Sequence, residues 1–119
     1  YGMVSLIDHN VGRMLESLES LGFAEDTLVV YTTDHGEMLG HHGLVLKGPF
    51  AYEDLLRVGL IVRGPGVKAG QVVQEPVSTL DLAKTFHDAA GVAESAELQG
   101  ASLTRLLAGE PEKRDVAYA

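Results

Sequence analysis

The stretch TLVVYTT, residues 27–33, is β-branched and aromatic and does not alternate apolar with polar residues. A strand with one wet face alternates with period two, so this run predicts a strand covered on both faces, within a sheet that carries helices. Upstream, Val4, Ile7, Val11, Met14, Leu15, Leu18 and Leu21 recur at helical spacing. They predict an amphipathic helix over residues 3–21, with Asp8, Arg13, Glu16 and Glu19 on its polar face and Gly22 to stop it. Downstream, AYEDLLR predicts a short helix, and VGLIV a second buried strand closed by the turn RGPG. Ser78 with Asp81 forms a capping-box pattern for a helix through Ala90 that stops at Gly91. A last short helix is expected over Leu103–Leu107, with Ser102 as its cap and Gly109 beyond its end. This order predicts one α/β segment over residues 1–119, a parallel or mixed sheet with flanking helices. The chain opens in a helix with no strand before it, so we expect a fragment of a larger α/β domain.

Composition narrows the function. With 119 residues and 45% apolar content there is enough to build one core. No apolar run approaches the roughly 20 residues of a membrane span, and YGMVSLIDHN lacks a signal peptide's basic start and small-residue cleavage site. The expected chain is soluble, and its compartment stays open. A net charge of −8 argues against nucleic acid or an anionic membrane as main partner. The absence of cysteine removes disulfides, thiolate metal sites and cysteine nucleophiles. Against the acidic average, Leu44 to Gly70 carries Lys47, Arg57, Arg63 and Lys68 opposed only by Glu53 and Asp54, a stretch suited to an anionic substrate or a chance clustering of surface charge.

The chemistry is concentrated in YTTDHGEMLGHHG, residues 31–43, which holds three of the five histidines. Ligands of open α/β sheets gather beyond the carboxyl ends of strands, and Asp34 and His35 stand at such an end. Neighbouring strand side chains point to opposite faces, so both reach one ion only if the backbone turns, which Gly36 permits. A carboxylate suits Ca²⁺, Mg²⁺ or Mn²⁺, and an imidazole adds Mn²⁺ or Zn²⁺. Two readings of this dipeptide stand open: a ligand pair, or an Asp34 that caps the loop beside a His35 bonded to a backbone carbonyl.

The run VVYTTDHGEMLGHHGLVLKGPFAYEDLLRVGLIVRGPG resembles the sulfatase family of the alkaline-phosphatase-like superfamily. It follows that family's order: a strand ending in T-S/T-D-H/N-G, then LG-x-HG, a Lys, a YE pair, and an RVPLI strand closing in R-x-PG. The resemblance extends to SLIDHNVGRMLESLESLGFAEDT before it and to VSTLDLAKTFHDAAGV and LQGASLTRLLAGE after it. It implies a partial alkaline-phosphatase-like sulfatase fold and metal-dependent hydrolysis of sulfate esters. Asp34 and His35 would ligate the active-site divalent cation, Ca²⁺ in a sulfatase, and Lys47 would be the catalytic and substrate-binding contact to sulfate. His42 matches the HG position and is expected to support the loop or the ligands from behind. Where His41 stands the family more often has an acid, so no role transfers. Glu37 reads as a loop-bonding acid, and Tyr52, Glu53 and Arg57 as residues that order the loop by packing and ion pairing. His9 and His87 read as surface residues of helices. Gly59 and Lys84 depart from prolines common in the family.

The resemblance also implies a nucleophile, a formylglycine made from the Cys or Ser of a C/S-x-P-x-R segment, and a pair of adjacent acidic ligands. Neither C/S-x-P-x-R nor Asp-Asp occurs in these residues. Formylglycine is therefore expected in the missing part of the protein, and the chain alone should be inactive. Two alternatives stand beside the sulfatase reading. One is a phosphonate monoester hydrolase or phosphodiesterase of the same superfamily, with Mn²⁺; the other is a non-catalytic folded module, monomeric or a homo-oligomer through an exposed sheet edge.

Overall fold

The computed structural model describes residues 1–93, 97–115 and 117. Its elements are helix α1 (Gly2–Ser20), strand β1 (Val29–Thr32), helix α2 (Glu53–Leu56), strand β2 (Leu60–Arg63), helix α3 (Asp81–Ala89) and helix α4 (Thr104–Leu107), with single 3-10 turns at Ala24–Asp26 and His41–Gly43. Each expected element is present within one or two residues of its sequence position. The helix stops share one mechanism. After α1, Gly22 donates to the Glu19 carbonyl and Phe23 to that of Leu18; after α3, Gly91 donates to Asp88 and Val92 to His87; after α4, Gly109 donates to Leu106 and Glu110 to Arg105. Each is a Schellman closure, which needs a left-handed residue, and the glycines supply it at φ 75°, 64° and 80°.

Strands β1 and β2 pair antiparallel, Val29 opposite Arg63 and Thr32 opposite Leu60. This pairing rules out a wholly parallel sheet; among the described residues the sheet is these two antiparallel strands, with no parallel pair to make it mixed. The strands are also less covered than their composition predicts. Tyr31 and Ile61 are cross-strand partners, and both are exposed. Helix α1 buries none of its residues and meets the 3-10 turn at Ala24–Asp26 more than the sheet. Met3, Val4, Leu6, Ile7 and Met14 stay exposed. An apolar stripe of this kind on a long helix marks a surface that other protein covers.

The buried centre is small: Met38, Leu55, Leu103 and Leu106, with Asp81 and Thr85 among the polar residues. Asp81 organises the C-terminal half. Its carboxylate accepts from the backbone N–H of Ser78 at 2.9 Å, the reciprocal arm of the expected capping box, and from that of Ala101 at 2.8 Å. Arg114 completes it, with Nη1 2.8 Å from Oδ2. One turn on, the Thr85 hydroxyl donates to the Asp81 carbonyl and accepts from the Leu103 N–H at 2.9 Å, which ties α3 to the start of α4. At the start of α4 the N-cap is Leu103 and not the expected Ser102, which lies one residue further out; its hydroxyl accepts from the Thr104 N–H at 3.3 Å.

Removing one member of a buried ion pair strands the other, so Asp81→Ala should destabilise the fold by about 3–5 kcal/mol. Thr85→Val keeps the shape but leaves the Leu103 N–H unpaired, at a cost of about 1–3 kcal/mol. Urea unfolding checks both; a loss below half a kcal/mol in either variant contradicts this account of the C-terminal half.

Candidate active site

Strand β1 stops at Thr32, and the chain then turns through Asp34, His35 and Gly36 toward α2. The Gly36 N–H donates to the Leu55 carbonyl at 2.9 Å, and a Cβ at Gly36 would overlap the carbonyl oxygen of Asp54. Glycine is thus required here for close approach of two backbones. From this anchor the loop folds on itself: Met38 N–H to the Leu46 carbonyl at 3.0 Å, Gly40 N–H to Leu44 at 2.8 Å, and the Met38 side chain buried below. Three non-glycine residues hold left-handed backbone in this loop, Leu39 at φ 47°, His42 at φ 53° and Leu46 at φ 63°. Such conformations cost of order 1–3 kcal/mol each and persist where surrounding contacts over-determine them.

The loop returns Lys47 to the strand end. Lys47 Nζ donates to His35 Nε2 at 2.8 Å, and Asp34 Oδ2 lies 3.6 Å from the same nitrogen. On the other side of the ring, Nδ1–H donates to the Gly36 carbonyl at 2.8 Å. That bond fixes the tautomer and leaves the Nε2 lone pair to accept from Lys47; a carbonyl bond at the far ring nitrogen is also the arrangement found behind metal-ligating imidazoles. Both readings of the dipeptide therefore meet in one geometry, since bonding to a carbonyl at Nδ1 is what prepares Nε2. The Asp34 carboxyl is held below the usual range, first by the His35 backbone N–H at 3.0 Å and then by the imidazole, so it is an anion at neutral pH. An ion about 2.0–2.6 Å from each donor spans a 3.6 Å separation. The carboxylate oxygen and imidazole nitrogen are donors that fit a hard or borderline divalent cation, which would displace Lys47 Nζ from Nε2. Lys47, Arg57, Arg63 and Lys68 all line one open cleft with Asp34 and His35, but Glu25, Glu53 and Glu75 line it too, so the basic stretch of the sequence is balanced there by acids.

The remaining loop residues are placed as follows. His41 Nδ1–H donates to Asp54 Oδ1 at 2.7 Å, and this bond holds the Asp54 carboxyl below its usual range. The His42 ring stacks on His41 at 4.1 Å and on Tyr52 at 4.4 Å, away from the Asp34 pair, in accord with a loop-ordering role. Glu37 accepts from the Leu39 N–H at 3.3 Å, as expected of a loop-bonding acid. Tyr52 orders the loop by stacking, but Glu53 and Arg57 form no ion pair among the described residues; Glu53 is instead the first residue of α2. His9 is exposed on α1, and His87, half-buried, lies 3.3 Å from the Ala93 carbonyl. Sequence reasoning missed Asp54 as the partner of His41. Its only signal was an acid next to the YE pair, too far along the chain for spacing to connect the two.

A profile described as Sulfatase matches residues 1–92. The chain belongs to the sulfatase family. Among similar proteins is the N-acetylglucosamine-6-O-sulfatase of Bacteroides thetaiotaomicron, 43% identical over 108 residues that make up 90% of this chain and 19% of that protein. A structure solved in complex with its substrate, D-glucosamine-2-N,6-O-disulfate, superposes with a TM-score of 0.82 at 42% identity, covering 90% of this chain and 22% of the other. The phosphonate monoester hydrolase of Agrobacterium radiobacter superposes at 0.87 with 35% identity, covering 97% of this chain and 23% of the other. The alkaline-phosphatase-like sulfatase fold is shown by these matches, and the chain spans about a fifth of the length of these relatives.

Gly36→Ala should force the strand end away from α2, lower stability by about 1–3 kcal/mol and shift Asp34 and His35 relative to Lys47. Thermal unfolding together with a crystal structure of the variant checks this; an unchanged Tm would show that the close approach is not needed.

Proposed function

We propose that the protein carrying this chain hydrolyses sulfate esters, and that the chain is a segment of its catalytic domain. The carrying observation is the convergence of Asp34 Oδ2, His35 Nε2 and Lys47 Nζ at the end of β1, in a chain of the sulfatase family. On this reading Asp34 and His35 hold a divalent cation, Ca²⁺, which when bound would withdraw charge from a sulfuryl oxygen as a Lewis acid. Lys47 binds the sulfate and neutralises charge that develops on the leaving oxygen, a task suited to a compact ammonium on a flexible stem. His42 keeps the loop that carries Lys47 in register through its stack on Tyr52. The nucleophile, formylglycine, and further cation ligands come from outside these 119 residues, and the exposed stripe of α1 packs against that remainder.

A second reading is supported by the superposition on the phosphonate monoester hydrolase: a phosphorus ester substrate, with Mn²⁺ in place of Ca²⁺. Assaying one aryl sulfate and the matching phosphonate monoester with each metal separates the two, and a kcat/KM higher for the phosphonate overturns the sulfatase reading.

Within the full-length enzyme, Lys47→Ala should lower kcat/KM on a sulfate ester by roughly 100- to 1000-fold, the range for a lost charge aimed at a developing anion. Lys68→Ala removes an equal charge from the turn after β2 and should cost only a few-fold, as expected of a screened surface group. Equal small losses would show that Lys47 does not contact the reacting group. Chelation should abolish turnover in the wild type, with recovery on added Ca²⁺.

A further inference from the structure

In the reading above His42 serves only through its stack on Tyr52, and the polar atoms of His41, His42 and Asp54 are left without a task. One donor atom from each of the three lies within 4.8 Å of the others. Two come from one 3-10 turn and the third from α2, and the turn is fixed to α2 by the 2.7 Å bond between His41 and Asp54. His41 is the residue that departs from the acid more common in the family, and it turns an acid-histidine pair into two imidazoles facing a carboxylate. We infer that His41, His42 and Asp54 form a second cation site, separate from Asp34 and His35, that takes a borderline transition ion such as Zn²⁺ or Co²⁺.

The donor chemistry sets the ion. Two neutral imidazoles with one carboxylate suit Zn²⁺, Co²⁺, Ni²⁺ and Cu²⁺, whereas Ca²⁺ and Mg²⁺ require mostly oxygen. Three protein donors leave a fourth position for water. Entry of the ion needs little rearrangement. It replaces the proton shared by His41 Nδ1 and Asp54 Oδ1, and the imidazole stays neutral because that proton is relocated, through solvent, to its exposed Nε2. The His42 donor atom already lies within 4.8 Å of the other two, so only a small adjustment of its ring is needed. Both histidines are exposed, so neither movement disturbs packed core. Asp54 is already a carboxylate, and its half-buried place on α2 gives the site one rigid wall.

The test is a Co²⁺ titration of the full-length protein with Ca²⁺ in saturating excess, followed by visible absorption and calorimetry. One equivalent should bind and give the intense d–d bands of a four- or five-coordinate ion. His41→Gln and Asp54→Asn should each weaken binding by more than about tenfold, the least expected when even an outer partner of a metal ligand is lost. Asp34→Ala should leave the bands intact. ¹⁵N-detected imidazole shifts on adding Zn²⁺ to the wild type should move for His41 and His42 and not for His9 or His87, a readout that does not depend on any variant folding. Absence of binding, bands that vanish with Asp34→Ala, or affinity unchanged in both His41→Gln and Asp54→Asn would overturn the site. None of these readouts is activity, so failure here is distinct from failure of the sulfatase reading.

Discussion

The hydrogen bond from Gly36 to the Leu55 carbonyl fixes the functional half of the molecule. It forms because no side chain intervenes, and it brings the end of β1 against α2 where any Cβ would collide with the Asp54 carbonyl. Everything chemical is referred to that contact. Asp34 and His35 precede it by two residues and one, the Met38–Leu46 pairing that returns Lys47 begins two residues after it, and Asp54 sits on its far side. The Gly36 carbonyl also receives the His35 ring, so the same residue positions the strand end and orients the imidazole. A backbone contact of this kind sets distances more tightly than paired side chains could, because it has no rotamers to lose.

The other half has a different organising group. Asp81 satisfies two backbone N–H groups and one guanidinium at once, and so joins the α3 entry, the chain before α4 and the segment around Arg114. Its partners lie up to 33 positions away in sequence, whereas the site loop closes within about 20. The site is therefore built from local closures and the C-terminal half from distant ones.

Much of this was legible in the residues. Helix ends could be read because glycine at the position after the cap has one physical role, and α1, α3 and α4 each obey it. The Ser78–Asp81 signature gave the start of α3 because the capping box is local. The ordered motif from β1 to β2 gave the family, and the Asp34–His35–Lys47 constellation followed by position. What the residues could not give was anything decided across a gap. The antiparallel pairing of β1 with β2 depends on the path of the loop between them, and the openness of Tyr31 and Ile61 depends on what covers the sheet. The His41–Asp54 bond and the convergence of Arg57, Arg63 and Lys68 on one cleft likewise arise from folding over Gly36, not from periodicity.

The site loop is held mainly through its own peptide groups: Met38 to Leu46, Gly40 to Leu44, Gly43 to Gly40. Peptide groups are the same whatever residue carries them. An exposed side chain such as that of Val45 can then be exchanged by mutation without redrawing the loop's path. Lengthening the loop at its tip is also cheap, since each doubling of a flexible segment costs only about 0.6 kcal/mol in closure entropy. A scaffold with this division leaves its rim open to divergence while its chemical centre stays put, so related proteins could come to accept different leaving groups through changes at the rim alone.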